Sequence, residues 1–118
     1  MPCKIKNELG VITIENEVIA RIAGMAAMDC YGIVGMAAKN VKDGIVQLLK
    51  LESLTKGVRL SLENEAATIE LHIIVEYGTN IAAIGETLVS TVQYRVEEYT
   101  GVRVEKINIF VEGVRVDG

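Results

Sequence analysis

The run VRLSLENEAATIELHIIVEY, residues 58–77, constrains the fold more than any other stretch of the chain. Two β-rich segments flank a polar turn at residues 63–65, which predicts a β-hairpin. Successive side chains of a strand point to opposite faces, so the second segment has one apolar face and one mixed face. The apolar face carries Ile69, Leu71, Ile73, Val75 and Tyr77, and the mixed face carries Glu70, His72, Ile74 and Glu76. The hairpin is therefore expected to bury one face against other elements of the chain.

Strand and helix patterns alternate through the rest of the sequence. Further β-like runs lie at residues 9–14, 33–38 and 102–116, and helical spacing of apolar residues lies at 17–31, 43–57 and 80–100. Candidate caps are Asn16, Asp43 and Asn80, and candidate stops are Gly32, Gly57 and Gly101. Gly24 lies among alanines, which predicts a narrow, closely packed first helix. The order β-α-β-α-β-β-α-β predicts an α+β fold in one domain, 1–118, with helices packed on one face of one mixed β-sheet.

The last predicted strand changes parity along its length. Val104 has one parity, whereas Ile107 and Ile109 have the other. A bulge or bend near Glu105 and Lys106 would return all of them to a single core face.

The same reasoning predicts a surface on the other face of the sheet. If Ile109 faces the core, then Asn108, Phe110 and Glu112 face away from it, beside Ile74 and His72 should the two strands be neighbours. Apolar side chains among polar ones on such a face resemble a protein-binding patch. We therefore predict an interaction surface of Phe110, Ile74, His72 and Asn108.

Charge and composition exclude several classes of function. Twelve Lys plus Arg against sixteen Asp plus Glu give a net charge of −4, which disfavours nucleic acid as a partner. No apolar run approaches the roughly 18 residues that cross a bilayer, so we expect no direct membrane insertion. Cys3 and Cys30 match no metal or redox spacing. We expect Cys3 on a mobile terminus and Cys30 buried, with both thiols reduced.

Two glycine motifs have a possible binding role. Residues 77–80, Tyr-Gly-Thr-Asn, could hold an anion at a helix N-terminus, but they lack the GxxxxGK[ST] spacing and favour a turn and a helix cap. Residues 32–35, Gly-Ile-Val-Gly, match the GxxG loop of KH nucleic-acid modules. Their apolar centre favours a helix stop followed by a strand. A KH-like module that uses this loop with Lys39 and Lys42 remains the alternative.

The sequence indicates no catalytic or metal site. His72 is the only histidine, and its neighbouring carboxylates suggest exposure to solvent. A metal would need further ligands, and catalysis by Cys30 would need the same His72. Glu86, Glu97 and Glu98 are read as a solvated helix face. We therefore expect no catalytic residue, no metal and no cofactor.

Three segments together resemble the alkaline shock protein family, of the alkaline shock protein 23 type. They are GVITIENEVIARIAGMAAMDCYGIVGM, LHIIVEYGTNI and VEEYTGVRVEKINIFVEGVRV, and they span most of the chain. Tyr77, Gly78, Ile81 and Gly101 correspond to signature positions of that family. The resemblance implies a small bacterial cytoplasmic protein without catalytic activity, which acts in cell-envelope homeostasis or the stress response.

The resemblance also implies partners. Some members reach the membrane through a membrane-anchored partner of the same family, and a homo-oligomer is expected. Few residues lie outside the domain, so the chain resembles the short, domain-only subgroup, which is often encoded beside a dihydroxyacetone-kinase-like fatty-acid kinase. The leading hypothesis is a non-enzymatic protein-interaction or scaffold module. The alternatives are the KH-like module and an accessory protein of such a kinase.

Overall fold

The computed structural model describes residues 3–37, 51–63 and 65–116. The strands in these ranges are β1 Cys3–Asn7, β2 Gly10–Ile14, β3 Ile33–Met36, β4 Val58–Glu63, β5 Ala66–Glu76 and β6 Arg103–Arg115. The helices are α1 Asn16–Met28, α2 Ile81–Thr100 and a 3₁₀ helix at Leu51–Gly57. The first half of the predicted helix at 43–57, with its cap Asp43, lies outside the described residues.

β5 is the central strand of a four-stranded mixed sheet. β6 pairs with it in parallel along its whole length, and β3 and β4 pair with it antiparallel. Because β6 occupies one edge of β5, β3 and β4 share the other edge. The predicted hairpin is β4 and β5, and its turn contains Glu65 at φ 65°. The α+β class is confirmed, with both α-helices on one face of this mixed sheet.

β6 contains two irregularities of register against β5. The register shifts between Val104 and Lys106, which confirms the bulge predicted near Glu105. A second shift lies between Val111 and Gly113 and was not predicted. The first shift brings Ile107 and Ile109 to the same face as Val104, as expected, and they pack against the core.

Helices and sheet enclose one cluster of aliphatic side chains. Its largest fully buried members are Ile19, Met36, Leu54, Ile69, Leu71, Ile73, Leu88, Val75, Val92 and Val96. A Cβ atom at Gly24 of α1 would lie 3.2 Å from Cβ of Leu54, so this glycine lets the 3₁₀ helix approach α1 closely. The narrow first helix is confirmed.

The predicted caps were right for α2 and wrong for α1. Asn80 Oδ1 accepts a hydrogen bond from Ala83 N at 3.1 Å, and Gly101 ends the helix at φ 75°. The N-cap of α1 is instead Glu15, which makes no side-chain cap bond. Val18 N and Ile19 N donate to Glu15 O, so the helix begins one residue earlier than predicted, at Asn16. The side chain of a residue inside the helix is not placed to cap the N–H groups of the first turn.

The N-terminal residues form a separate two-stranded hairpin, of which the sequence predicted only the second strand. β1 pairs with β2 from Cys3 opposite Ile14 to Asn7 opposite Gly10. Asn7 Oδ1 accepts from Leu9 N at 2.8 Å, which stabilises the turn. The expectation of a mobile Cys3 was wrong, because pairing to β2 holds Cys3 in place; it is buried, and burial raises the pKa of its thiol.

Gly32 is the glycine on which the junction of α1 and β3 depends, and Gly85 of α2 is its control. Gly32 has φ 86°, and a Cβ atom there would lie 2.5 Å from Cδ1 of Ile84, whereas a Cβ atom at Gly85 meets nothing within 4 Å. We expect Gly32→Ala to lower the free energy of unfolding by about 2 kcal/mol or more, from left-handed backbone strain and overpacking. Gly85→Ala should raise it by roughly 0.5–1 kcal/mol, as alanine does in a helix interior. Urea unfolding measures both, and equal midpoints for Gly32→Ala and wild type would contradict this account.

Candidate interaction surface

The sheet face turned away from both helices, the outer face, carries the predicted surface. Strand register places Glu70 beside Asn108 and His72 beside Phe110. Of the predicted surface, His72, Phe110 and Asn108 are therefore neighbours, and Ile74 lies on the same face of β5, opposite Gly113. Glu70 and Glu112, which were not part of the predicted surface, join them through His72. These residues form the candidate site.

His72 is held between two carboxylates. Its Nδ1 lies 2.6 Å from Oε2 of Glu112, and its Nε2 lies 3.0 Å from Oε2 of Glu70. A neutral imidazole has one donor and one acceptor nitrogen, and an ionised carboxylate only accepts. Both contacts are hydrogen bonds when the ring carries two N–H groups or when one glutamate holds a proton. Either way, both ring nitrogens of His72 are occupied by protein side chains.

Phe110 covers His72 from the β6 side. The two rings stack with centroids 4.9 Å apart and planes inclined by 9°. Phe110 itself remains 44% exposed, whereas His72 is only 5% exposed. The stacked imidazole and its two glutamates fix the position of a half-exposed aromatic ring.

The expected exposure of the whole surface was partly wrong. Asn108 and Phe110 are exposed, but His72 and Ile74 are buried. The reason is topological, because His72 and Ile74 lie on the central strand with neighbours on both edges, while Asn108 and Phe110 lie on the edge strand. The surface that a partner could reach is centred on Phe110.

A polar hollow adjoins this surface beyond Asn108. It has a volume of about 580 Å³ and is lined by Ser61, Leu62, Glu63, Thr68, Glu105, Lys106 and Asn108. Phe110 thus lies next to a hollow rich in hydrogen-bonding groups. This combination of an apolar centre and a polar surround is typical of protein interfaces.

The other candidate motifs have structural roles. Helix α1 ends at Met28 with Asp29 as its C-cap, so the prediction that Gly32 stops the helix was wrong. Gly32 lies in the turn before β3 and Gly35 is buried in that strand, so residues 32–35 form a turn and a strand rather than an exposed loop. Lys39 and Lys42, which the KH-like reading needs, lie outside the described residues. In the turn before α2, Thr79 Oγ1 donates to Glu76 O at 2.6 Å and Gly78 has φ 93°. The turn-and-cap interpretation of residues 77–80 is confirmed.

Cys30 and His72, the two side chains weighed for nucleophilic catalysis, lie on opposite faces of the sheet. Cys30 is buried in the core, and its Sγ donates to Ala26 O at 3.6 Å. His72 lies on the outer face and is engaged by glutamates. Among residues 3–37, 51–63 and 65–116, no group of three or more His, Cys, Asp or Glu side chains could hold a metal ion. Nor does any helix within those ranges have the length and apolarity to cross a membrane.

Of the four signature positions, two have exposed side chains and two are glycines with a left-handed backbone conformation. Tyr77 is 71% exposed and Ile81 is 47% exposed, at the junction of β5 and α2. The prediction that Tyr77 shares the buried face of β5 was wrong, because the strand ends at Glu76. Gly78 and Gly101 both have positive φ, at the start and the end of the α2 connection. Gly101 and Gly78 therefore define the crossover from β5 to β6.

Sequence reasoning missed the roles of three glutamates. Glu70 lies two residues from His72 on the same strand face, and that spacing was a usable signal for the pair. Strand alternation placed Glu112 on the outer face, but its contact with His72 was missed; Glu112 lies in the second bulge, for which Gly113 within a strand was the available signal. Glu97 is not only solvated, because its Oε2 accepts from Val104 N at 2.9 Å.

The contact between His72 and Glu112 should contribute measurably to stability. The two side chains are 6% and 31% exposed, so the hydrogen bond is partly shielded from water. In a double-mutant cycle of His72→Ala and Glu112→Ala, we expect a coupling energy of about 1–3 kcal/mol.

The exposed pair Glu17 and Arg21 serves as the control. Their atoms are 3.4 Å apart on the surface of α1, with side chains 71% and 52% exposed. Pairs of this kind contribute about 0.3–0.5 kcal/mol. Chemical denaturation measures both cycles, and equal coupling in the two would show that His72 and Glu112 are no better paired than surface charges.

Comparison with known proteins identifies the family of the chain. The family model of alkaline shock protein 23, described by its cell envelope-related function, matches residues 4–116. The chain is 45% identical to "Uncharacterized protein YloU" of Bacillus subtilis, over 98% of each chain. It is 27% identical to a "Stress response regulator gls24 homolog" of Streptococcus pyogenes, over 90% of this chain and 59% of that protein. A solved structure of the MamM CTD is similar with a TM-score of 0.49 and 14% identity, over 86% of this chain and 95% of that one. The chain therefore belongs to the alkaline shock protein 23 family, a family with a cell envelope-related function.

Proposed function

We propose that this protein is a non-enzymatic interaction module of cell-envelope homeostasis or the envelope stress response, and that a protein partner binds around Phe110. The observation that carries the proposal is the stacking of a half-exposed Phe110 on a buried His72 whose two ring nitrogens both contact glutamates. Family membership supports the envelope connection, and the name of the gls24 homologue supports the link to stress.

The physical argument rests on preorganisation. Binding costs free energy when an exposed side chain must be fixed on association. The ring of Phe110 is already oriented by His72, so less of this cost remains when a partner covers it. Aromatic residues near the centre of an interface, surrounded by polar groups that exclude water, commonly dominate its binding energy. Phe110 beside the polar hollow meets that description.

The chemistry of the outer face limits the kind of partner. Glu70 and Glu112 contact the imidazole of His72, on which Phe110 stacks, while Lys106 and Asn108 line the polar hollow. A partner should therefore present an apolar pocket or side chain for Phe110, with basic groups on one side of it. We propose a cytoplasmic location and, as partner, a membrane-anchored member of the same family.

The test compares two exposed aromatic residues. Phe110→Ala removes the proposed anchor, and Tyr94→Ala removes a 66%-exposed ring from the helix side of the molecule. Tagged wild-type and variant proteins are used to recover partners from native cells, and the affinity for the recovered partner is then measured. We expect Phe110→Ala to weaken binding by about 30-fold, which corresponds to the roughly 2 kcal/mol typical of a central anchor.

The control variant decides which surface is used. Tyr94→Ala should bind as wild type does, and thermal unfolding should show that both variants remain folded. Wild-type recovery of partners by Phe110→Ala would reject the outer face. Loss of partners by Tyr94→Ala alone would place the binding site on the exposed flank of α2.

A further inference from the structure

Among the described residues, no strand pairs with the edge of β6 that points away from β5, and one segment of that edge presents backbone groups without a partner. In a strand, the N–H and C=O of one residue point to the same side, and neighbouring residues alternate. The backbone N–H and C=O of Val104 point away from β5, because the N–H donates to Glu97 Oε2 and the C=O accepts from Gln93 Nε2 at 3.4 Å. Arg115 points towards β5, because its C=O accepts from Tyr77 N at 2.9 Å. The direction alternates from residue to residue between these two, with one extra residue at each bulge. The backbone N–H and C=O of Ile107, Ile109 and Val111 therefore point outward, away from β5.

This outward edge is uncapped in its centre. Side chains of α2 satisfy the edge at Val104, but no hydrogen bond from elsewhere in residues 3–37, 51–63 or 65–116 reaches the outward groups of Ile107, Ile109 and Val111. Residues 107–111 carry no charged side chain. Natural edge strands normally carry charges, prolines or bulges that prevent pairing. Here the bulges lie only at the two ends of the segment.

An apolar groove runs beside the same edge on the core side of the sheet. It has a volume of about 440 Å³ and is lined by Gly85, Glu86, Val89, Ser90, Gln93, Ile107 and Ile109. The small side chains of α2 leave this space open, since a Cβ atom at Gly85 would meet nothing within 4 Å. An element that pairs with β6 would therefore also find apolar surface to cover.

We propose that a second copy of this chain occupies the edge and the groove. The two β6 strands pair antiparallel about a two-fold axis that passes between the two copies of Ile109. An axis perpendicular to the sheet keeps equivalent faces on the same side, so paired residues must share a face. Ile107 then pairs with Val111 and Asn108 pairs with Phe110. Lys106 of each copy faces Glu112 of the other, and a carboxylate accepts at both oxygens, so Glu112 can also hold His72.

Charge selects this register over its neighbours. A register centred on Asn108 places Lys106 opposite Phe110 and Val104 opposite Glu112. A register centred on Phe110 places Asn108 opposite Glu112. Only the axis at Ile109 uses the whole segment 106–112 and joins opposite charges at both ends. Opposite-charge pairs across antiparallel strands are favourable by roughly 0.2–1 kcal/mol each.

The same axis fills the groove. The α2 helices of both copies lie on the same side of the continuous sheet, so each helix approaches the groove of the other along Gly85, Val89 and Gln93. This pairing of two β6 strands would give the homo-oligomer expected from the family resemblance a defined surface. It does not depend on partner binding at Phe110, and the two can fail separately.

The first test measures the oligomeric state of three proteins by light scattering. Wild type should have twice the monomer mass. Val89→Glu adds a carboxylate to the groove in each copy and should raise the dimer dissociation constant by at least about 100-fold, because the dimer buries two unpaired charges. Thr87→Glu makes the same change in charge at an exposed position facing away from the groove and should remain dimeric. A monomeric wild type, or a dimeric Val89→Glu, would overturn the proposal and leave the Phe110 assignment standing.

The second test reads the register with disulfides, in a background with Cys3→Ala and Cys30→Ala. Residues 108 and 110 of opposite copies form a pair that is not hydrogen-bonded, with Cα atoms about 4.5 Å apart, which a disulfide can span. Oxidation of a mixture of Asn108→Cys and Phe110→Cys proteins of different tag length should give the mixed dimer, while neither variant crosslinks alone. Crosslinking of Asn108→Cys alone or Phe110→Cys alone would move the axis, and no crosslink in the mixture would reject this pairing.

Discussion

The pairing of β5 on both of its edges determines where the other elements lie. β6 runs along one edge, and β3 and β4 divide the other. A strand enclosed in this way has two faces and no free edge, so its alternating side chains must be buried by layers above and below. Its apolar face is covered by α1 and α2, which accounts for the complete burial of Ile69 and Leu71. Its mixed face has only side chains to cover it.

His72 shows how such a face is completed without a helix. A buried imidazole needs partners for both nitrogens, because an unsatisfied polar group in a shielded position costs about 1–3 kcal/mol. Glu70 comes from the same strand and Glu112 from the bulge in β6, while Phe110 supplies the apolar cover. The polar side chains therefore replace a missing layer of structure. They also fix the position of the half-exposed ring of Phe110 on the outer face.

Sequence periodicity predicted local structure well and long-range structure poorly. The alternation in β5, the α2 caps and the first bulge in β6 depend on residues close in sequence, and these predictions were right. The burial of His72 depends on the parallel neighbour β6, which no local pattern shows. β1 was missed because the N-terminus was expected to be mobile, although Cys3 and Ile5 alternate with Lys4 and Lys6. Such lysines belong to the solvent face of a two-stranded hairpin.

The parallel pairing of β5 with β6 has a consequence for the order of folding. β4 and β5 are adjacent in the sequence and can pair early, whereas the whole of α2 lies between β5 and β6. β6 can therefore pair with β5 only after the chain has closed a long loop. Closing long loops is entropically slow, so contacts of this kind form late. During synthesis β6 also leaves the ribosome after every other described element. Until then one edge of β5 has no pairing partner and the core lacks Val104, Ile107 and Ile109. A nascent chain in that state exposes an unpaired strand edge and apolar surface, the two features that make folding intermediates prone to aggregation.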